Sequence, residues 1–460
     1  MTLSKTLAAF VVNTSYDDLP KEAVEFTKIC ILDWAGSALA GHKKAPIQMI
    51  NEMVLEAGGA PQSTLLTGSG KTSVAQAAFV NGASSHIVEL DDIHKGSIIH
   101  AGTVVIPAAL AVAEWKGSSG KEFIAAVALG YEICYRIGEA VSPSHYHYWH
   151  NTATCGTFGA AAAVSKLLHL NEEQIVHVLG SAGTQAAGLW EFIEDGAMSK
   201  QLHPGKAAMN GVISALLAEK GFTGAKKILE GDRGFFKAMS TDYDEAKITN
   251  GLGEKLKITE NSFKIHASCR HTHPAIDLVL SINKDTPLQA EDIKKVQIKG
   301  YRAVIDITDN PDPDTIYASK FSVQFCAALA FIKNSAGMHH FKTETLQDKK
   351  IRQLMKKIEV TLDQEIDDRY PDKWGSAIKI ELHNGQVIEK ETDYPKGDPE
   401  NPVSMDELVG KFRNMTMEIP QDIVEEWIVN VKNLEDYHNV AKWLPAGLQA
   451  GMGYQKHVQK

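Results

Sequence analysis

Small apolar residues recur at helical spacing through the first half of the chain. From Leu19 to about Phe222 the pattern predicts helices, with alanine-rich segments at 73–92, 120–141 and 156–170. In Gly156-Thr-Phe-Gly-Ala-Ala-Ala-Ala-Val164 small residues fall on every face of the predicted helix. Neighbouring helices can then approach it closely from several directions, which places it at the centre of a bundle. No internal repeat or low-complexity run interrupts this pattern.

Beyond about Phe263 the period changes. Val296-Gln-Ile-Lys-Gly-Tyr-Arg-Ala-Val304 and Ile358-Glu-Val-Thr-Leu362 alternate apolar with polar residues, the period of half-buried strands. The run 377–389 carries Asn384-Gly385 between two such stretches, the pair preferred in two-residue hairpin turns. After the turn-rich Pro395-Lys-Gly-Asp-Pro399, residues 403–444 return to a helical pattern that can pack back on the first domain. The expected organisation is a helical domain over 1–265, an α+β domain over 266–398, and a C-terminal segment, 399–460, rejoining the helical part. The fold class is mainly α.

A length of 460 residues exceeds one core of usual size, in keeping with two domains. A net charge of -10 leaves no basic footprint for nucleic acid or an anionic membrane. The apolar stretch from Thr103 to Ala113 is broken by Pro107 and ends at Glu114, short of the roughly 20 residues a membrane span needs. The N-terminal run lacks a secretory signature, so the cytoplasm is expected. Cys30, Cys134, Cys155, Cys269 and Cys326 show no Cys-x-x-Cys spacing. That suits reduced thiols and disfavours a zinc knuckle or an iron–sulfur cluster, so no cofactor and no metal are expected.

The chemistry concentrates in the middle of the chain, where twelve of the eighteen histidines lie between His86 and His273. Glu89-Leu-Asp-Asp-Ile-His-Lys-Gly-Ser-Ile-Ile-His100 and Ser199-Lys-Gln-Leu-His-Pro-Gly-Lys206 set acids, imidazoles and ammoniums in apolar helical sequence, where unpaired charge is costly. Asp91, Asp92, His94 and His100 are types that ligate divalent ions, but their spacing matches no specific zinc pattern. Alternatively Asp91 and Asp92 terminate the helix running through 77–90 and His94 faces solvent, while His100, flanked by apolar residues, is buried with a role. Of His145, His147 and His150, spaced for neither one helix face nor one strand face, His150 is best placed to meet an anion at a helix start. Lys200 and His203 precede Pro204-Gly205 and a helix expected over 206–220, the end that attracts anions; the alternative for Lys200 is a solvated surface lysine. Lys264, Cys269, Arg270, His271 and His273 fall at the junction of the two textures, where ligand clefts are common. Cys269 is either a nucleophile activated by flanking cations or a buried small hydrophobe.

Together these segments, with Leu32-Asp-Trp-Ala-Gly-Ser-Ala-Leu-Ala-Gly41, His150-Asn-Thr-Ala-Thr-Cys-Gly and Thr272-His-Pro-Ala-Ile-Asp277, resemble the MmgE/PrpD family over nearly the whole chain. The family includes 2-methylcitrate dehydratases, cis-aconitate decarboxylases and iminodisuccinate epimerases. The resemblance implies a large helical domain built from both chain ends, a smaller α+β lid, a homodimer and cofactor-free catalysis on a small carboxylic acid. It implies His100, Asp91, His150, Lys200 and Lys264 as catalytic residues, with Glu89, His203, Arg270 and Cys269 around the substrate. Glu89 enters because the decarboxylase branch has an aspartate at its place. In this reading Lys200, Lys264 and His150 hold carboxylates and developing charge, and His100, oriented by Asp91, moves the proton beside a carboxylate. The expected activity is a 2-methylcitrate-dehydratase-like lyase. An epimerase or a decarboxylase of a related polycarboxylate is the alternative within the family. A metal-dependent hydrolase and a binding protein without turnover are the alternatives outside it.

Three positions depart from the decarboxylase branch. Ile93 replaces a threonine, Cys269 a histidine and Phe325 a tyrosine. A pocket that loses hydrogen-bonding partners changes its substrate preference. The expected outcome is little or no itaconate when the protein is incubated with cis-aconitate. Rapid CO2 release from that acid would show that these three positions do not set the reaction.

Overall fold

The computed structural model describes residues 2–445. It divides into two units: one holds the described residues of Met1–Ile87, Asp91–Asn261 and Ser404–Lys460, the other Val88–Leu90 and Ser262–Val403. The fold is mainly α, as expected.

The first unit is helical apart from the two-residue ladder of β1 (Ser63–Thr64) and β2 (Lys71–Thr72). Its α-helices up to residue 219 are α1 (Leu3–Asn13), α2 (Lys21–Gly41), α3 (Ala45–Ala57), α4 (Val74–His86), α5 (Gly102–Lys116), α6 (Gly120–Val141), α7 (Asn151–Leu167) and α8 (Glu172–Gly183), then the short α9 (Phe192–Asp195) and α10 (Leu202–Glu219). Every residue of α7 except Lys166 is buried. It is enclosed by α5, α6, α8 and α10. Its alanines and glycines allow this: a Cβ on Gly159 would stand 2.7 Å from both Cys134 Cβ and the Gly130 carbonyl, and one on Gly130 would meet Gly159 O at 2.8 Å. α6 begins with a capping box on Ser119 and Glu122. The C-terminal helices Met405–Met415 and Gln421–Lys432 pack on α2, where Lys411 Nζ meets Asp33 in a buried ion pair.

The second unit is α+β. β3 (Ile293–Gly300) runs parallel to β4 (Ile358–Leu362) and antiparallel to β5 (Ser376–Leu382), and β5 pairs antiparallel with β6 (Val387–Thr392), giving the order β4-β3-β5-β6. Ser376, Ile378, Ile380 and Leu382 alternate inward along β5, on which the helix His273–Asp285 packs. The expected strand at 296–304 ends at Gly300 and passes into the helix Arg302–Thr308. The hairpin is not the two-residue turn expected. Leu382 and Gln386 close a three-residue loop (Leu382 N–H to Gln386 O, 2.9 Å) with Gly385 at φ +89, and Asn384 Oδ1 accepts the Gln386 N–H at 2.9 Å.

A second difference concerns α4, which stops at His86 instead of continuing towards 92. Side chains five residues apart stand about 140° apart around a helix. His86 Nδ1 nevertheless lies 2.7 Å from Asp91 Oδ2, which requires the helix to end between them. The chain turns through Glu89, held at φ +59, and through Ile98 at φ +55, backbone regions costly for non-glycine residues.

The close crossing of α6 and α7 generates a stability prediction. Gly159→Ala should destabilise the protein by about 1–3 kcal/mol, because backbone atoms must move to admit the methyl group. A lower urea midpoint at unchanged m-value measures this, and an unchanged midpoint would contradict the crossing described here.

Candidate active site

The first unit gathers five imidazole and carboxylate residues on four elements. His86 closes α4, Asp91 and His100 bound the irregular segment before α5, His150 is the N-cap residue of α7, and His203 lies in the first turn of α10. The His86 ring is centred 5.0 Å from that of His100 and 5.6 Å from that of His150.

Asp91 Oδ2 accepts from His86 Nδ1 at 2.7 Å and from His100 Nδ1 at 3.2 Å. His100 Nδ1 also lies 2.6 Å from the Asp92 carbonyl oxygen. A carbonyl and a carboxylate can only accept, so Nδ1 of His100 carries the proton, and in the neutral ring Nε2 is the lone pair. The His100 backbone N–H donates to Thr152 Oγ1 in the first turn of α7, at 3.1 Å. Burial works to raise the Asp91 carboxyl, but the imidazoles of His86 and His100 outweigh it and hold the group well below the usual carboxylate range.

Asp92, expected to cap or to ligate, does neither for α4. It accepts from Tyr131 Oη at 2.7 Å, from Asn261 Nδ2 at 2.6 Å and from the Gly102 N–H at the start of α5, at 3.1 Å. Burial nonetheless raises its carboxyl above the ordinary value. His94, expected in solvent, is buried, stacked on Tyr135 with centroids 4.2 Å apart. Its Nδ1 accepts the Ser97 N–H at 3.2 Å, leaving Nε2 towards Glu139 at 3.8 Å and Glu260 at 3.7 Å. Asp91, Asp92, His94 and His100 therefore do not assemble as one ligand set.

His86, Asp91 and His100 do offer donor atoms within 4.8 Å of one another. Their contacts are hydrogen bonds with protons on the imidazole nitrogens, and an ion between them would have to displace those protons.

His150 Nδ1 meets His203 Nδ1 at 3.1 Å, and the Trp190 ring is centred 4.9 Å from His150. Burial, then His86, His203 and the Lys200 ammonium, keep His150 neutral well below its ordinary value. Burial, His86 and Lys200 push His203 down to about 4. Lys200 is itself buried, not the solvated lysine of the bland alternative. Of the histidine patch, His145 is structural, buried between Thr154 Oγ1 (2.7 Å) and the Met239 carbonyl (3.0 Å), and His147 is exposed.

The remaining sequence candidates lie in the second unit. Lys264 Nζ pairs with Glu89 Oε2 at 3.3 Å, both buried, and Lys320 Nζ donates to the Val88 carbonyl at 2.9 Å. The guanidinium of Arg270 bonds Asp398, the Phe263 and Lys396 carbonyls at 3.2 Å each, and His273 Nδ1 at 3.0 Å. Those contacts join the 263–273 segment to the 396–398 turn. Cys269 is buried, its N–H donating to the Lys320 carbonyl at 2.9 Å. His271 bonds Tyr301 Oη at 2.7 Å and stacks on Trp374, and burial followed by Lys264 and Arg270 pushes it down to about 3.

Sequence reasoning missed His86, Tyr131 and Trp190. Each sits in a helical or apolar context indistinguishable from core; the one available signal was a histidine at the end of a helix that is buried on all sides.

The depressed imidazoles set a pH dependence. His145 is pushed down to about 4 by burial, against the Met239 carbonyl. In the unfolded chain such groups protonate near about 6.5. Between roughly pH 6.5 and 4 the unfolded state therefore binds more protons, so stability falls as the pH is lowered through that window. The urea midpoint should drop between pH 7 and 5, and His145→Gln, which cannot titrate, should show a shallower drop. An identical slope in the variant would remove His145 from the effect.

Residues 5–247 match the MmgE/PrpD N-terminal domain and residues 266–436 the MmgE/PrpD C-terminal domain. A cis-aconitate decarboxylase-like protein, oryM, of Aspergillus oryzae is 25% identical, over 90% of this chain and 90% of its own length. The cis-aconitate decarboxylase of Aspergillus terreus is 26% identical, over 92% of each chain, and that of Mus musculus 27%, over 78% of this chain and 75% of its own. With both family domains matched in order around the residues described above, the chain belongs to the MmgE/PrpD family.

Proposed function

We propose that this protein is a lyase acting on a small di- or tricarboxylic acid, and that its reaction is the dehydration of a 2-methylcitrate-like hydroxy acid. The observation that carries the reading is the state of His100: Nδ1 is committed to two oxygen acceptors, which leaves Nε2 as a buried base. Removing a proton beside a carboxylate builds enolate-like charge, which fixed cations and hydrogen-bond donors stabilise. His100 Nε2 takes the carbon-bound proton, and Asp91 balances the imidazolium that results. His150 returns a proton to the departing hydroxyl. Lys200 holds a carboxylate, and Lys264 is assigned the same role from its family motif alone. Asp91 Oδ1 is buried with no hydrogen-bond partner among the described residues, so it suits the O–H of a hydroxy acid.

A second reading, decarboxylation of cis-aconitate, is favoured by the names of the relatives. The same base and cations serve it. Against it stand the apolar Ile93 and the fully buried Phe325, which packs against Phe341.

The test is exchange of substrate C–H for deuterium in D2O, with citrate and 2-methylcitrate as probes. His100→Asn should lower exchange by on the order of 10²–10⁴-fold with little change in affinity. His150→Asn should keep exchange but block loss of water. If His100→Asn exchanges normally and His150→Asn does not, the base is His150. Absence of both exchange and dehydration in the unmodified protein sinks the dehydratase reading.

A further inference from the structure

The contact between His150 and His203 joins Nδ1 to Nδ1 at 3.1 Å. Two bare nitrogen lone pairs cannot face each other at that distance, and two N–H groups cannot either, so one proton lies between them. Within a neutral pair this links the far nitrogens. When His150 holds the shared proton, its Nε2 is a base and His203 Nε2 carries a hydrogen. When His203 holds it, His150 Nε2 carries the hydrogen and His203 Nε2 is bare.

The surroundings are built for this pairing. Gly188 accepts the His150 backbone N–H at 2.9 Å, and a Cβ there would stand 3.3 Å from His203 Nδ1 and 2.6 Å from Ala153 Cβ. Trp190 and Phe192 enclose the two rings, with centroids 4.9 Å from His150 and 5.4 Å from His203. The Lys200 ammonium disfavours a second positive charge on either ring. His150 is buried, whereas His203 is partly exposed.

We propose that His203 is a positioning residue that sets the proton state of His150, the two rings forming one neutral, tautomer-coupled pair through which His150 regains a proton at Nδ1 from solvent after Nε2 has donated its own. The steps balance. After His150 Nε2 gives its hydrogen to the leaving hydroxyl, the shared proton moves from His203 Nδ1 to His150 Nδ1, and His203 Nε2 takes a proton from water. The donor at His150 Nε2 is restored when that nitrogen takes a proton from water while the shared proton moves back to His203 Nδ1 and His203 Nε2 releases its hydrogen to solvent. No net charge accumulates on the pair at the end of either sequence. The inference rests on the role given to His150 above, but the shared proton itself can be measured without turnover.

The full-length protein labelled with [15N]histidine would be compared with His203→Phe and His203→Asn. At pH 7 His150 should show neutral-ring nitrogen signals averaged between protonated and bare types, and His203→Phe should drive them to the limits of a single tautomer. His203→Asn, which offers a hydrogen-bond partner but no relay, should keep KM for 2-methylcitrate near that of the unmodified protein and lower kcat by on the order of 10²-fold. His150 signals identical in the unmodified protein and His203→Phe, or a doubly protonated ring in either residue at pH 7, overturn the pair. Unaltered kcat in His203→Asn overturns the relay. If the unmodified protein neither exchanges nor dehydrates any probe, the dehydratase reading fails, and the nitrogen signals alone decide whether the proton is shared.

Discussion

A buried carboxylate must have its charge met where it stands, and one oxygen of Asp91 lies 2.7 Å from His86 Nδ1 and 3.2 Å from His100 Nδ1. Much of the local architecture follows. α4 has to end at His86 so that Asp91 can fold back onto its ring. The backbone accepts positive φ at Glu89 and Ile98, and the Asp92 carbonyl is turned to meet His100 Nδ1. Asp92 then holds its own side chain between Tyr131, Asn261 and the start of α5. Removing the carboxylate at 91 would take away the acceptor that His86 Nδ1 meets at 2.7 Å, while His100 Nδ1 would keep the Asp92 carbonyl.

The packing around this group explains why it can be so dry. α7 is buried on all sides because its small residues let α5, α6, α8 and α10 come close, and its N-terminus carries His150 and Thr152. Burial in turn keeps His150 and His203 neutral at physiological pH. The same burial that prepares the site therefore makes the folded protein sensitive to acid.

In the second unit the cations already have partners. Arg270 ties Asp398 and two carbonyls together, and Lys264 faces Glu89. An anion that meets Lys264 competes with the Glu89 carboxylate, so the affinity of that ammonium depends on the partner it must give up. The three residues 88–90 belong to this unit although Ile87 and Asp91 on either side belong to the other, so Glu89 and Asp91, two positions apart, serve different surroundings.

The helices around α7, the α+β texture beyond 263 and strand 358–362 were legible because local periodicity is fixed by backbone geometry over a few residues. The motifs also marked His100, His150, Lys200 and His203 as chemistry, since charged or titratable groups in apolar sequence require partners. What the sequence could not determine was which partners. His86, Asp91, His100, His150 and His203 are separated by irregular spacings that carry no periodic signal, so His86 was not singled out and His94 read as surface. The helix end at His86 was equally hidden, because the apolar pattern continues past it. Only the tertiary structure decided these points: hydrogen bonds between distant residues depend on how helices pack, and one buried bond to Asp91 outweighs the helical propensity of the residues that follow α4.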